Sequence, residues 1–546
     1  MLDLTANRRD LLKLATLGLT ATAVPAAHAL SQSVAHGSAA SFFDVRAYGG
    51  VGDGKTVDSP AFNRAIDAAS AAGGGTVLVP AGVYLCFSIR LKSYVHLHLA
   101  PGATILAADS PLPGETTGYN GGTYDAAESN APWEAYQDYG HNHWHNSLIW
   151  GENIHDCGIT GPGLIHGKGL SNGRGRDNDG ALFTAEQPGV GNKAIALKNC
   201  HNVIFRDFSI LKGGHFGLLL TGVDNLSIDN LKIDTDRDGI DIDCCKNVRV
   251  SNCTVNSPWD DGICPKSSFA LGYSRATENV TITNCYVTGC FELGSLLDGS
   301  FKKLAPDSKV PRTGRIKCGT ESNGGFRNIT IANCVFEGCQ GLALESVDGA
   351  LLEDITISNI TMRDIVSSPI FMRLGARLRG PRGAGDQATT VGTLRRVLIN
   401  NLVCYNSGAR VCSTISGIPG HAIEDVKFAN IYLEHRGDAS PDTGKLIPPE
   451  FESKYPEPGM FGDMPAQGFY IRHLRNLEMS HVDVHPMSPD PRPAFYLEDV
   501  HRADFIAVTA PTQNPAFFFN KVTDLRILLS RAAKDTRLDA ADQLFL

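Results

Sequence analysis

A short phrase that recurs along the chain constrains its fold more than any other feature. Each copy begins with Asn or Asp, alternates apolar and polar residues, and often ends with a second Asn. Clear copies start at Asn202, Asn225, Asn247, Asn279, Asn328 and Asp354, and looser copies start at Arg396, Asp425 and Asn476. The two-residue alternation and the β-branched residues predict a strand in each copy.

The spacing of the copies predicts how these strands are arranged. The steps from Asn202 to Asn225 and from Asn225 to Asn247 are nearly equal, and the next steps, to Asn279 and to Asn328, are progressively longer. A period of roughly 22 residues with variable insertions is typical of a solenoid, in which successive coils stack and insertions leave as loops. The chain is therefore expected to be an all-β parallel solenoid.

Cysteine placement agrees with stacked coils. Cys253, Cys285 and Cys334 each hold the same position relative to the start of a phrase. Equivalent positions on an inward face predict a column of small buried side chains. Because the chain is expected to be exported, isolated disulfides among its 14 cysteines are the alternative.

The N-terminus has the pattern of an export signal. Arg8 and Arg9 precede an apolar stretch over 14–27, and Ala27-His28-Ala29 fits a cleavage site. The apolar stretch is too short to span a bilayer, and the twin arginine is typical of Tat export. We predict a Tat-like signal peptide over 1–29, a flexible segment over 30–42 and a single catalytic domain over 43–546. The expected location is periplasmic or secreted.

Other features narrow the domain further. Ser59 and Pro60 suit the start of a helix over 61–72, which ends at Gly73 and would cap the first coil. The net charge of −9 argues against nucleic acid as a partner. No later hydrophobic segment has spanning length, so we expect no membrane contact. We also expect a monomer.

Counting from the start of each phrase compares the positions of ionisable residues in successive coils. His215, Asp238, Asp260 and Glu292 each hold the same position relative to the phrase that precedes them, which predicts a ladder of ionisable groups. A second register, through Gly217, Gly239, Gly262 and Gly294, instead pairs Asp238 with Asp261. Both registers gather the three aspartates on one patch, and the sequence leaves the choice open.

Clustered aspartates predict acid–base chemistry. Glycoside hydrolysis needs one protonated carboxyl for the leaving oxygen and one carboxylate to act on water or on the sugar. Crowding raises carboxyl pKa values, so that one group stays protonated. The alternatives are a solvated polar face or a calcium site, because five aspartates recur over 234–243.

A basic pair follows in the long insertion. Arg315 and Lys317 flank one residue, Ile316, and would point to the same side of an extended segment. A guanidinium fork and an ammonium beside an acidic patch suit the carboxylate of a sugar acid. A loop-holding salt bridge is the alternative.

Together these motifs resemble glycoside hydrolase family 28, which contains the polygalacturonases and rhamnogalacturonan hydrolases. The resemblance covers about residues 43–508 and follows the family's motif order. Its motifs are G-I-T-G-P-G-L-I-H-G-K-G from Gly158, D-G-I-D at 238–241, D-D at 260–261 and R-I-K at 315–317. It implies a right-handed parallel β-helix, hydrolysis without metal or cofactor, and inversion at the anomeric carbon.

The resemblance also implies residue roles. Asp260 would be the general acid, Asp238 and Asp261 would activate the water, and Arg315 and Lys317 would hold the substrate carboxylate. The chain departs from the family where Asn-Thr-Asp becomes Asp236-Arg237-Asp238. It departs again where Gly-His-Gly has no counterpart containing His. Either Glu292 stands near the acid in place of that His or the substrate differs at that subsite, and we predict that Glu292 and His215 bind substrate.

These observations predict an inverting hydrolase of galacturonate-containing pectic polysaccharide, either polygalacturonan or rhamnogalacturonan. Its partner would be acidic plant cell-wall polysaccharide. Long insertions, such as 108–147 and the Pro-rich stretch over 448–458, favour a groove walled at one end and hence exo action. Two alternatives remain. One is a calcium-dependent pectate-type lyase on the same fold, and the other is a non-catalytic carbohydrate-binding solenoid.

Overall fold

The computed structural model describes residues 42–137, 139–171, 186–383, 388–408 and 410–546. The predicted signal peptide lies outside the described residues, as does all but Phe42 of the predicted flexible segment. Residues 42–546 belong to one compact unit. None of the described helices is long and apolar enough to cross a membrane.

A helix covers the first coil. Helix α1 spans Ser59–Ala71, with Pro60 in its first turn. Phe62, Ala65, Ile66 and Ala69 are buried. Their spacing of three and four positions makes one apolar stripe against the solenoid end. The predicted cap is thus present, although its N-cap is Asp58 and not Ser59, whose hydroxyl instead accepts a hydrogen bond from the Phe87 amide.

Strands make up most of the remaining chain. The N-terminal coils contain β1 Phe42–Asp44, β2 Asp53–Val57, β3 Gly75–Val79, β4 Gly82–Cys86, β5 Ile89–Arg90, β6 Val95–Leu99, β7 Ala103–Ala107, β8 Ser147–Glu152, β9 His155–Thr160 and β10 Leu164–His166. The central coils contain β11 Lys193–Lys198, β12 His201–Arg206, β13 Ser209–Leu211, β14 Phe216–Thr221, β15 Asp224–Asp229, β16 Lys232–Asp234, β17 Asp238–Asp243, β18 Lys246–Ser251, β19 Thr254–Asn256, β20 Ile263–Lys266, β21 Thr277–Thr283, β22 Tyr286–Thr288, helix α2 Ser295–Asp298 and β23 Lys317–Cys318. The C-terminal coils contain β24 Phe326–Glu337, β25 Leu342–Ser346, β26 Leu351–Arg363, β27 Ile370–Leu374, β28 Thr393–Ser407, β29 Ser413–Ser416, β30 Ile423–His435, β31 Phe469–Pro486, β32 Phe495–Ile506, β33 Phe517–Leu528, β34 Thr536–Ala541 and β35 Leu544–Phe545.

Most strands pair in parallel with their equivalents one coil further on. One face stacks β12, β15, β18, β21 and β24, and a six-stranded face stacks β5, β8, β11, β14, β17 and β20. β34 runs antiparallel to β33 and ends the stack. This topology confirms the predicted all-β right-handed parallel β-helix.

The repeated asparagine has two structural roles. Asn202, Asn225, Asn247, Asn279 and Asn328 all adopt left-handed backbone conformations, with φ between 50° and 59°. Asn tolerates this conformation better than β-branched residues do. The side-chain amide of each later residue donates to the amide oxygen of the one before it, at 3.0–3.1 Å. The phrase therefore marks a turn and carries a ladder between coils.

The inward cysteine column is confirmed. Cys253, Cys285 and Cys334 are each at most 2% exposed and lie in or next to paired strands of successive coils. They belong to the continuous apolar core that fills the solenoid. This core holds the coils in register, and the polar side chains project from their outer faces.

Candidate functional site

The register of two strands brings the aspartates together. In the β17–β20 pair, Ile240 lies opposite Ile263, and the Gly239 amide donates to the Asp261 carbonyl at 3.0 Å. Asp238 is therefore level with Asp261, as the glycine register predicts, and the register that pairs Asp238 with Asp260 is wrong. Asp234 and Asn256 are equivalent, and four residues separate Asn256 from Asp261 whereas three separate Asp234 from Asp238. This one extra residue shifts the register counted from the phrase by one.

The register counted from the phrase is also wrong in the following coil. Ile316 bridges Ile263, and the Gly262 amide donates to the Arg315 carbonyl at 2.8 Å, so the segment around Arg315 occupies this rung. Neither Glu292 nor Gly294 holds the predicted ladder position, because the insertion of this coil comes before the strand. Glu292 instead forms an ion pair with Lys302 at 2.8 Å.

His215 occupies a different place from that predicted. Its successor Phe216 pairs with Asp238, so an aromatic residue and not His215 lies on the rung beside the aspartate. The His215 ring is buried and stacks on Phe216 with centroids 4.3 Å apart. Neither His215 nor Glu292 is among the residues lining the cavity described below. Their substrate-binding roles stay predictions.

Three carboxylates converge at this point. Asp238, Asp260 and Asp261 each place an oxygen within 4.8 Å of the other two. The Asp261 amide donates to Asp238 Oδ1 at 3.0 Å and to Asp260 Oδ1 at 3.2 Å. The Asp238 and Asp261 side chains are 4% and 1% exposed, whereas that of Asp260 is 20% exposed. Asp260 is thus the most accessible of the three.

Asp261 is held between two cations. Arg315 Nε donates to Asp261 Oδ1 at 2.8 Å, and Lys317 Nζ lies 2.5 Å from Oδ2. Burial acts to raise the pKa of Asp261, but Lys317 and Arg315 outweigh it and lower that pKa below its ordinary value. Asp261 is therefore ionised at neutral pH.

Asp238 has the opposite environment. Burial and the neighbouring Asp260 raise the pKa of Asp238 to about 7. Lys266 opposes this rise. Its Nζ lies 3.7 Å from Asp238 Oδ2, 3.7 Å from Asp241 Oδ2 and 3.4 Å from Glu321 Oε2. One site thus holds two adjacent carboxyl groups with pKa values pushed apart, an arrangement common where acid–base chemistry occurs.

Two arginines near the aspartates differ in access. Arg237 lies 2.9 Å from Asp260 Oδ2 and its side chain is 13% exposed. The Arg315 side chain is 1% exposed and is bound on three sides, by Asp261, by Gln340 Oε1 at 2.7 Å and by Glu457 Oε1 at 2.8 Å. Lys317 and Arg237 face the cavity, and Arg315 lies behind its lining.

The cavity itself has a volume of about 630 Å³. It is lined by His141, Arg237, Asp238, Trp259, Asp260, Lys266, Pro311, Thr313, Lys317, Glu321, Gln340, Val366, Ser367, Tyr455, Glu457 and Gly459. A cavity of this size, rich in hydroxyl, amide and charged groups, suits a sugar unit and its neighbour.

Insertions from distant parts of the chain wall this cavity. His141 comes from the 108–147 insertion, and Tyr455 and Glu457 come from the Pro-rich stretch. Two buried arginines anchor that stretch: Arg472 donates to the Pro448 and Pro449 carbonyls, and Arg373 donates to the Glu450 carbonyl. Such charge-assisted hydrogen bonds hold a loop of irregular backbone in one place.

The aspartates of the calcium-site alternative already have hydrogen-bond partners within the protein. Asp234 accepts from Asn256 Nδ2 at 2.9 Å and from the Gly294 amide at 2.8 Å. Asp243 accepts from the Ser268 amide and hydroxyl at 2.8 and 2.6 Å. Protein donors therefore already bind these outer aspartates. Asp238 and Asp241 lie near enough to share an ion with His141, but Lys266 lies 3.7 Å from both carboxylates in this structure.

Two protein families match the chain. Residues 125–301 match glycosyl hydrolases family 28, and residues 42–133 match the family described as rhamnogalacturonase A/epimerase, pectate lyase-like. The predicted resemblance to family 28 is confirmed. The family 28 match contains all three aspartates, whereas the Pro-rich stretch lies outside both matches.

Curated relatives agree with this resemblance. A probable polygalacturonase of Vitis vinifera is 27% identical over 52% of this chain and 58% of its own length. An exopolygalacturonase of Arabidopsis thaliana is 23% identical over 71% of this chain and 78% of its own. This chain thus covers little more than half of the Vitis relative.

Among solved structures, the family 28 exopolygalacturonase of Yersinia enterocolitica has a TM-score of 0.59 at 18% identity, covering 85% of this chain and 78% of its own. An exopolygalacturonase of Thermotoga maritima has a TM-score of 0.53 at 16% identity, covering 92% and 95%. At these identities the likeness establishes the β-helical fold.

Proposed function

We propose, from the match of residues 125–301 to glycosyl hydrolases family 28, that this chain is an exo-acting hydrolase of galacturonate-containing pectic polysaccharide. The observation that carries the proposal is the convergence of three aspartates at a cavity that also presents Lys317 and Arg237, with the pKa of Asp238 raised and that of Asp261 lowered. Carboxylates supply the acid–base chemistry, and the cations supply sites for a uronate.

The geometry supports distinct roles for the carboxylates. Asp261, ionised because of its two cations, and Asp238 lie close enough for one water to contact both. That water would be activated by Asp261 and oriented by Asp238. Asp260, the most accessible of the three, would give its proton to the leaving glycosidic oxygen. Lys317 would hold a substrate carboxylate, and attack by a water held in this way would invert the anomeric carbon.

The walls of the cavity support exo action. His141 and Glu457 come from insertions in opposite halves of the chain and line the same cavity as Asp260. Walls of this kind favour a chain end over the middle of a polymer. Two named exopolygalacturonases of the same fold accord with this view.

Digestion of de-esterified polygalacturonan tests the proposal. We expect monosaccharide to accumulate from the first minutes with little fall in viscosity. Asp260→Asn should lower kcat by about 10²–10⁴-fold or more, because the isostere has no proton to give. Asp298→Asn, an exposed change in the insertion before Arg315, is the matched control and should keep full activity. Near-normal turnover by Asp260→Asn would contradict the assignment.

Further parts of the proposal have their own measurements. Proton NMR of the first product should show the inverted anomer. Ultraviolet-absorbing unsaturated products that disappear with a chelator would support the calcium-dependent lyase instead. The absence of reducing-sugar release from any pectic polymer would support a non-catalytic binding solenoid.

We also propose export through the Tat route and a monomeric state. The Arg8–Arg9 pair and the apolar stretch over 14–27 support export. Cell fractionation with N-terminal sequencing would test the route and the cleavage site after Ala29. Light scattering of the purified protein would test the monomer.

A further inference from the structure

Arg237 is a departure from the family motif that the proposed chemistry leaves unexplained. It stands between Asp236 and Asp238, where the family has a threonine. Its guanidinium contacts Asp260 Oδ2 through Nε at 3.2 Å and through an Nη atom at 2.9 Å. A guanidinium in this position stabilises the ionised carboxylate, whereas a general acid must carry a proton.

The cavity also limits which arginine can receive a substrate carboxylate. Arg315 is 1% exposed, lies behind the lining, and already binds Asp261, Gln340 and Glu457. A uronate placed against it would meet the Glu457 carboxylate, and like charges repel. Arg237, by contrast, lines the cavity next to the most accessible aspartate.

We propose that Arg237 is a second substrate-carboxylate receptor of this chain, in addition to Lys317, and that it changes partner from Asp260 to the uronate when substrate binds. Loss of its counter-ion makes Asp260 a stronger base, so Asp260 Oδ2 takes up a hydronium proton from bulk solvent through the cavity that it lines. The proton then passes to the glycosidic oxygen as the glycosidic bond breaks, and the proton released by the attacking water later returns to solvent. The inference rests on the proposed function, and it makes binding of a uronate the event that prepares the acid.

This exchange predicts a specificity that simple electrostatic attraction does not. A methyl-esterified uronate has the same ring and size but no charge to draw Arg237 away, so Asp260 would stay paired and ionised. The wild type should therefore prefer the free acid in kcat as well as in KM. A cation that only holds substrate would change KM alone.

Matched substrates and variants test the exchange. We would compare de-esterified and fully methyl-esterified oligogalacturonates of one length with the wild type, Arg237→Gln and Arg237→Lys. For Arg237→Gln we expect KM for the acid to rise about 10- to 100-fold, as for a lost hydrogen bond to a charged group. The preference for acid over ester should fall in kcat as well as in KM, with Lys317 retaining part of it, and Arg237→Lys should recover part of the loss. Arg249→Gln, an exposed change on β18 outside the cavity lining, is the control.

Calorimetric binding separates this inference from the proposed function. In an Asp260→Asn background, Arg237→Gln should still weaken binding of the acid oligomer relative to the ester. If wild-type protein cleaves neither substrate but this selective weakening is present, the proposed hydrolysis fails and the receptor assignment stands. If the wild type hydrolyses the acid and Arg237→Gln leaves the acid-to-ester ratio unchanged, the receptor assignment is overturned.

Discussion

Replacing Lys266 with Met removes a cation that lies among three buried carboxyl groups. Its Nζ is 3.4 Å from Glu321 and 3.7 Å from both Asp238 and Asp241. At these separations and an effective dielectric constant of about 20, each ionised pair is worth about 4 to 5 kcal/mol before desolvation is subtracted. Burial raises the pKa of Asp241 well above its ordinary value, so Asp241 contributes little charge. We expect a net loss of about 3–5 kcal/mol in the free energy of unfolding at pH 7.5.

The pH dependence of this loss has a defined sign. Burial acts to raise the pKa of Glu321, but Lys266 and neighbouring cations lower it well below its ordinary value, and Lys266 also limits the rise at Asp238. Without the lysine, both folded-state pKa values move upward, and the variant regains stability as pH falls and these groups take up protons. The destabilisation should therefore be smaller at pH 5 than at pH 7.5.

Urea unfolding at both pH values measures the effect. Lys302→Met, which breaks the exposed pair with Glu292, is the matched control and should cost at most about 1 kcal/mol. The acidic limb of kcat/KM should also shift upward by at least about one pH unit, since Asp238 would ionise later. A loss under about 1 kcal/mol together with an unmoved acidic limb would show that Lys266 does not set the charge of this cluster.

Three further outcomes are expected. In the wild type, kcat/KM should rise with pH through about 7, because Asp238 loses its proton near that pH and orients the attacking water as a carboxylate. A rate independent of pH between about 5.5 and 8.5 would contradict this role of Asp238. Lys317→Ala should raise KM for uronates about 10- to 100-fold and also lower kcat, because Asp261 loses a counter-ion at 2.5 Å; unchanged kinetics would make Lys317 structural. Asn247→Ala should lower the free energy of unfolding by about 1–3 kcal/mol, and Asn247→Gly by less, because glycine accepts the positive φ; equal losses in urea titrations would assign the whole cost to the ladder.

Local patterns in the sequence predicted the coil well. The Asn247 phrase encodes a turn, a strand and an interior side chain within a few positions, and these depend on nearest neighbours in the stack. The aspartate patch followed for the same reason, because Asp238 and Asp261 occupy adjacent rungs. One choice of register failed, since a single extra residue in a turn cannot be seen in a spacing counted from the phrase.

Contacts between distant segments could not be predicted in this way. Glu292 was misplaced because the sequence does not show whether an insertion precedes or follows a strand. Glu457 reaches Arg315 across 142 positions, and no periodicity links the two. Lys266 was missed although it closes the strand that begins just after the aspartates. The available signal was its position on β20, where the two-residue alternation directs its side chain away from the core and places it on the rung beside Asp243.

The asparagine ladder has an electrical consequence for the whole solenoid. Every amide in the ladder donates toward the preceding coil, so the side-chain dipoles point the same way from Asn328 to Asn202. Aligned amide dipoles leave a partial positive charge at the donor end, as in a helix. That end is terminated by an anion, because Asn202 Nδ2 donates to Asp156 Oδ1 at 3.0 Å. A row of neutral surface amides thus gives the stack an electric dipole along its axis, and the Asp156 carboxylate lies at its positive end.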